Sequence, residues 1–415
     1  MIKKKYLLIL SFIFILLHPF YLYILNTYGI YQMPLTFLAI IFAVLSCGFN
    51  IKISKKGLSY LIPWACLFML MTIRNINYKE LCIFYFMLLF LMLIYQFKKE
   101  WQSSFITLLH VLVFPNVIAT IIIWIMPSSY SIIRPLIFVN DIMFAGYKTA
   151  LTGHYSTNAI YISISLLISG CRFFCGNKKS DRKKYIVMFL VELIALILTS
   201  KRGPLLFSLS ALFLTYLLVD KKRIYNRFIK LIAVIIFSFV IIYVFAEYIP
   251  GLNDMISRFV TDGTSGRDVM YALAFKMFLE DPIWGLGTGA YRVQYARYLA
   301  TDTSHLYLNA HNVYLQLLCE NGLIGLAIFL FNTIFLLYNS IRLLRKYFVK
   351  KEYAKEINMA VSVVFQIYFL LYCMTGNPLY DNMMYVPYFI FCASTYSYLI
   401  NEKCKFKNKQ SVHKN

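Results

Sequence analysis

The chain has 415 residues, of which 60% are hydrophobic, 18% aromatic and only 14% charged, and its formal net charge is +23. This balance excludes a soluble globular enzyme and indicates an all-α polytopic membrane protein, because apolar runs of about 20 residues, enough to cross a hydrocarbon layer of about 30 Å, recur along the whole length. The excess of positive charge raises the question of nucleic acid, which the positions of the basic residues answer.

In chain order the hydropathy pattern predicts twelve spans, at 6–26, 33–50, 58–73, 81–97, 104–126, 157–175, 185–200, 203–219, 229–249, 312–341, 357–376 and 383–400, within one integral membrane domain over 1–415. The first lies in MIKKKYLLILSFIFILLHPFYLYIL. Its apolar run is long and no small-residue cleavage site follows, so it is read as a helix and not as a signal peptide. With the amino terminus cytoplasmic, 30 of the 41 Lys and Arg fall in inner loops and tails, among them the segments Arg172 to Lys184 and Lys403 to Lys414. The positive-inside rule then places both termini in the cytoplasm. Charge spread over short loops forms no stripe for nucleic acid, and leaves membrane lipids as the partner of these residues. Nine cysteines sit in spans or near the inner surface. Cys171 and Cys175 share an inner helix end without a neighbouring His or further Cys, and read as free buried thiols.

Residues 250–311 form one large extracytoplasmic loop, opening with the turn Pro250-Gly251 and continuing TDGTSGRDVMYALAFKMFLEDPIWGLGTGAYR. Thr264, Ser265 and Gly266 supply helix-start chemistry and Asp268 suits a first turn. An amphipathic helix of about 13 residues should follow, stopping at Asp281-Pro282, with Val269 and Leu273 turned towards the bundle. The run Gly285-Leu286-Gly287-Thr288-Gly289 lacks the spacing of a dinucleotide fingerprint, and reads as a tight turn that folds the loop back.

Six residues carry the candidate chemistry. Lys201 and Arg202, in LTSKRGPLL, occupy a short outer hairpin at headgroup depth, with Gly203-Pro204 opening the next helix. Arg267 stands at the amino end of the amphipathic helix, where backbone N–H groups already favour an anion. Arginine grips phosphate oxygens through paired donors, so Arg202 is either a phosphate ligand or a snorkelling side chain, and Arg267 either a phosphate ligand or a surface partner of Asp262 or Asp268. His311 opens the helix of HNVYLQLLCENGLIG, and a neutral imidazole there suits proton abstraction near neutral pH. Asn312 can orient a polar partner. Glu320, like Glu192 in the seventh span, is an ionisable residue within the membrane, which is either functional or paired with a snorkelling Lys or Arg.

The order of these motifs, with GHYSTNAIYISI at Gly153 to Ile164 before them, resembles the bacterial O-antigen ligase and polymerase superfamily over about 150–330. The resemblance implies a GT-C-like membrane glycosyltransferase of the bacterial cytoplasmic membrane, acting at its outer face on undecaprenyl-pyrophosphate-linked glycans. By matched position it implies that Arg202 and Arg267 hold the pyrophosphate and His311 is the general base; Asn312 and Glu320 are substrate-binding candidates from their own placement beside His311. Lys201 stands where many members have serine, and supplies a second cation for the same anion. The chemistry calls for no metal and no other cofactor. A flippase and a chain-length regulator are the expected protein partners. The chain is rich in Lys, Ile, Asn and Tyr and poor in Ala and Arg, a bias of AT-rich genomes that favours a Gram-positive host. Polymerase of capsular, exopolysaccharide or O-antigen repeat units is therefore the first expectation, ligase the second and lipid-linked oligosaccharide flippase or transporter the third.

Overall fold

A computed structural model describes residues 2–27, 32–48, 55–73, 78–94, 101–137, 146–176, 179–220, 224–229, 266–299 and 309–412. Among them are α1 (Ile2–Thr27), α2 (Gln32–Cys47), α3 (Lys55–Ile73), α4 (Tyr78–Ile94), α5 (Trp101–Ile125), α6 (Ser128–Ile137), α7 (Tyr155–Cys175), α8 (Lys179–Leu198) and α9 (Arg202–Val219). The chain continues as α10 (Arg267–Glu280), α11 (Ala290–Leu299), α12 (Val313–Val349), α13 (Tyr353–Tyr372) and α14 (Asn382–Val412). No strand occurs among the described residues.

Eleven of the twelve expected spans coincide with helices, and the other, 229–249, lies outside the described residues but for its first. Among the described residues six segments are long and apolar enough to cross a bilayer, in α5, α7, α9, α12, α13 and α14, and α2 to α4 add shorter apolar helices. Large apolar side chains such as Ile73, Val111, Ile125, Leu206, Phe331 and Ile334 are exposed, as lipid-facing positions are when no soluble core is there to cover them.

The interior is built around α7, whose residues are buried almost from end to end, with α8, α5, α13 and α9 packed against it. Aromatic side chains fill the space between helices: Phe369 stacks on Tyr388 with ring centroids 3.9 Å apart, and Trp64 donates its indole N–H to the Tyr396 hydroxyl at 3.0 Å. Some buried polar groups find partners within this interior, whereas others, among them Glu192 Oε2, Asn116 Oδ1 and Gln366 Oε1, have none. Glu192, read as either functional or paired with a snorkelling Lys or Arg, places its Oε1 3.1 Å from His110 Nε2, where it also accepts from the hydroxyls of Ser165 (2.7 Å) and Ser169 (3.0 Å). A buried carboxylate requires such compensation, and short side chains on the neighbouring helix supply it without the cost of drawing in a long cation.

The helix α10 matches the expected length and ends at Asp281. Its start is simpler than expected: Gly266, with φ 74°, is the N-cap and no side chain caps the turn, while Thr264 and Ser265 lie outside the described residues. Leu273, Ala274 and Met277 face the protein, whereas Val269, expected on that face, is 50% exposed. Apolar residues are distributed all round this helix, so no single stripe in the sequence could select the buried side. The short α6 follows Pro127 and was not anticipated, since a ten-residue helix carrying Pro135 gives no span-length signal.

Candidate active site at the helix mouth

The site forms where four segments converge at one end of the bundle. His311 has a left-handed backbone, φ 51°, and turns the chain into α12. Asn312 is the N-cap of that helix, its side-chain carbonyl accepting from the Leu315 N–H at 3.1 Å. Val313 N–H then donates to the Cys373 carbonyl at 2.9 Å, which fixes the mouth against the turn after α13. From that turn the amide of Asn377 lies 3.3 Å from His311 Nδ1.

α10 lies over this junction. The Tyr271 hydroxyl reaches the carbonyls of both His311 and Met374, each at 3.2 Å. Arg267, one helical turn before Tyr271, therefore enters from the same side of α10. The hairpin between α8 and α9 supplies Lys201 and Arg202, both half-buried, with Lys201 Nζ 3.7 Å from the centre of the Tyr155 ring. The hairpin abuts the same turn: a Cβ on Gly203 would stand 3.8 Å from the Thr375 hydroxyl.

The electrostatics follow from this convergence. His311 is held below its usual 6.5, first by burial and then by the positive charges of Arg267 and Lys201. The imidazole is therefore neutral where a base must be, in the field of two cations drawn from separate segments. The atom facing its Nδ1 is Asn377 Nδ2, a donor from which Nδ1 accepts; with the amide turned so that its otherwise unpartnered Oδ1 accepts from Nδ1–H, Nε2 becomes the free base. A second histidine, His154, is held near 4 by burial and by Lys201, and its Nδ1 accepts from Ser156 N–H at 3.1 Å to cap α7. It is a structural neighbour whose own acceptor nitrogen is engaged. At the start of α14, Asp381 is raised to about 7 by burial, with Met383 N–H donating to its carboxyl.

Two residues expected to bind substrate have other partners. Asn312 uses its side-chain oxygen on the helix cap, as described. Glu320 is 1% exposed and its carboxylate accepts from Tyr291 N–H (3.3 Å), the Gln316 amide (3.3 Å) and the Tyr380 hydroxyl (3.2 Å). These contacts place it behind the mouth, where it ties the loop after α10 to α12.

That loop has an unexpected role. α12 is broken at Gly322 (φ 64°, ψ −168°), and the segment 282–287 fills the break. The carbonyls of Cys319 and Glu320 accept from Leu286 and Gly287 N–H at 2.9 and 2.8 Å, while Leu323 and Ile324 N–H donate to the Pro282 and Ile283 carbonyls at 2.9 and 3.4 Å. Two carbonyls before the break and two N–H groups after it thus have partners from the loop. The approach is so close that a Cβ at Gly322 would lie 2.1 Å from the Ile283 carbonyl oxygen, and one at Gly285 2.4 Å from the Glu320 backbone. The glycine run does fold the loop back on the bundle, and it does so by entering a helix.

Tyr271, Asn377 and Asp381 were missed from the sequence. Tyr271 is one of many tyrosines, and the NPLYDN turn has no signal beyond its Pro and Asn to connect it with a histidine 66 positions earlier.

Fold and site together define a polytopic α-helical membrane protein with a neutral histidine and a group of cations at one end. Residues 186–330 match the family described as O-Antigen ligase, which supports an O-antigen ligase/polymerase-like domain over that part of the chain. The matched segment includes Lys201, Arg202, Arg267, His311, Asn312 and Glu320. No curated protein matches the chain.

Proposed function

We propose that the protein is a polymerase that joins undecaprenyl-pyrophosphate-linked repeat units of a capsular, exopolysaccharide or O-antigen glycan at the outer face of the bacterial cytoplasmic membrane. The observation that carries this reading is the neutral His311 beside Lys201 and Arg267, three groups from separate segments of one family domain. A glycosyl pyrophosphate has a good leaving group, so transfer needs one base for the acceptor hydroxyl and positive charge for the departing anion. His311 Nε2 takes the proton of the acceptor sugar hydroxyl as its oxygen bonds to the anomeric carbon of the growing chain. The bond from that carbon to the lipid pyrophosphate breaks with inversion, its electron pair leaves with the phosphate, and Arg202, Arg267 and Lys201 stabilise the charge. Asn377 orients the ring. No metal or nucleotide enters this scheme.

Both termini are cytoplasmic in this reading, as the distribution of Lys and Arg requires, and a flippase and a chain-length regulator act beside the enzyme. The AT-rich composition favours a host without lipopolysaccharide, hence polymerase over ligase. A transporter would use a broken helix to line its substrate path. The break in α12 is filled by the chain's own backbone, which favours the enzyme.

Deletion of the gene followed by analysis of lipid-linked glycans tests the proposal. Single repeats accumulating on the outer face support a polymerase. Long lipid-linked chains would instead establish a ligase, and repeats trapped inside a flippase.

A further inference from the structure

The flank of the bundle has a second feature, whose basic end is remote from His311. A groove of about 670 Å³ runs along α5, bounded by α8 and by Ile133 of α6. Its wall on α5 extends from Thr107 to Ile122, about 22 Å of helix, and is apolar along Val111, Phe114, Ile118 and Ile122. Its polar end is made by Arg172 and Lys184. Arg172 lies 17 residues along α7 from Tyr155, the partner of Lys201, so this basic end is about 25 Å from the histidine mouth, on the opposite side of the membrane.

We propose that this groove is a binding site for an anionic phospholipid of the leaflet opposite the active site, its phosphate held by Arg172 and Lys184 and an acyl chain lying along α5. The shape and the charge agree on this occupant. The guanidinium of Arg172 is already oriented, donating to the Tyr185 hydroxyl at 3.1 Å and the Thr107 hydroxyl at 2.9 Å, and lies 5.3 Å from the Tyr185 ring centre. An arginine fixed in this way loses little further freedom on meeting a phosphate. The adjoining first turns of α8 carry Lys179, Arg182 and Lys183 against one acid, Asp181, so the field at the groove end is strongly positive. A basic pocket between spans with an apolar trough leading away matches a lipid with a negative head and a hydrocarbon tail, whereas a zwitterionic head leaves the cations without net compensation. Nothing in this argument depends on the reaction at His311.

The full-length protein, purified in a neutral detergent, is examined by native mass spectrometry with phosphatidylglycerol, phosphatidylcholine or undecaprenyl phosphate added in equal amounts. Phosphatidylglycerol should be retained in preference to phosphatidylcholine. Lys184→Gln should reduce that retention by about fivefold, the loss of one charge contact near a lipid surface. Val111→Trp, which fills the trough from an exposed position, should reduce it independently without touching the buried core. Equal retention of the two phospholipids, or retention unchanged in both variants, would overturn the proposal. So would undecaprenyl phosphate displacing phosphatidylglycerol with the same dependence on Lys184 and Val111, since the groove would then hold a polyprenyl chain.

Discussion

His311 reaches its position through a left-handed backbone, φ 51°, that a residue with a Cβ adopts at a cost of about 1–3 kcal/mol. The surroundings hold it there: Tyr271 bonds its carbonyl, Asn377 faces its ring and Asn312 starts the helix behind it. His311→Ala should therefore leave the helix capped and lower turnover by about 10² to 10⁴, measured as polymer formed from lipid-linked repeats. Near-normal polymer from that variant would remove the histidine from the chemistry. Burial and two cations hold the imidazole below 6.5, so its base form persists to lower pH and the acid limb of the rate profile should fall below 6.5. Taking away one of those charges raises the folded-state value. Lys201→Gln should accordingly move the acid limb towards higher pH, and a limb that does not move would mean Lys201 does not act on the base. The histidine itself was legible because it is an ionisable group at the start of an apolar run. Asn377 was not, since an amide in a Pro-containing turn resembles any other turn residue until the fold brings it to the ring.

At the level of elements, the spans and the limits of α10 follow from apolar length and from the stop at Asp281-Pro282, both local properties of the chain. The break in α12 does not. Gly322 follows Glu320-Asn321 and Gly325 lies three residues on, within a stretch otherwise read as one span, and glycine in a membrane helix is common enough to signal no break alone. Only the matching run 282–287, some 40 positions earlier, gives Gly322 its meaning. Gly322→Ala should destabilise the protein by about 2 kcal/mol or more, because the new methyl collides with the Ile283 carbonyl and the residue must keep φ 64°. Thermal unfolding of the detergent-solubilised protein measures this. An unchanged midpoint would mean the loop is not seated in the helix. The same seating explains why Glu320, which as an isolated intramembrane carboxylate invites a substrate role, has its oxygens directed at Tyr291, Gln316 and Tyr380.

For the molecule as a whole, the proposed topology rests on the positions of Lys and Arg, and in it the histidine mouth and the basic end of the groove lie at opposite faces. A cysteine placed at Lys148, in the turn before α7, should react with an impermeant maleimide in intact cells, whereas one at Lys179, at the start of α8, should react only after permeabilisation. Reaction in the reverse order would invert the topology and put the histidine mouth in the cytoplasm. The class of the molecule was plain from composition, since no soluble protein exposes so much apolar surface. Its internal packing was not, because helices apolar on every side carry no record of which face meets a neighbour.

The loop seated in α12 also fixes a length. Four backbone hydrogen bonds join 282–287 to the two halves of one helix, two by their N–H groups and two by their carbonyls. Adding or removing one residue between Ile283 and Leu286 changes the spacing between the two pairs, so both cannot be made at once. Elsewhere on a protein surface, loops lengthen and shorten readily as sequences diverge. Here such drift is closed off, and change in this segment is confined to exchanging side chains at a fixed residue count.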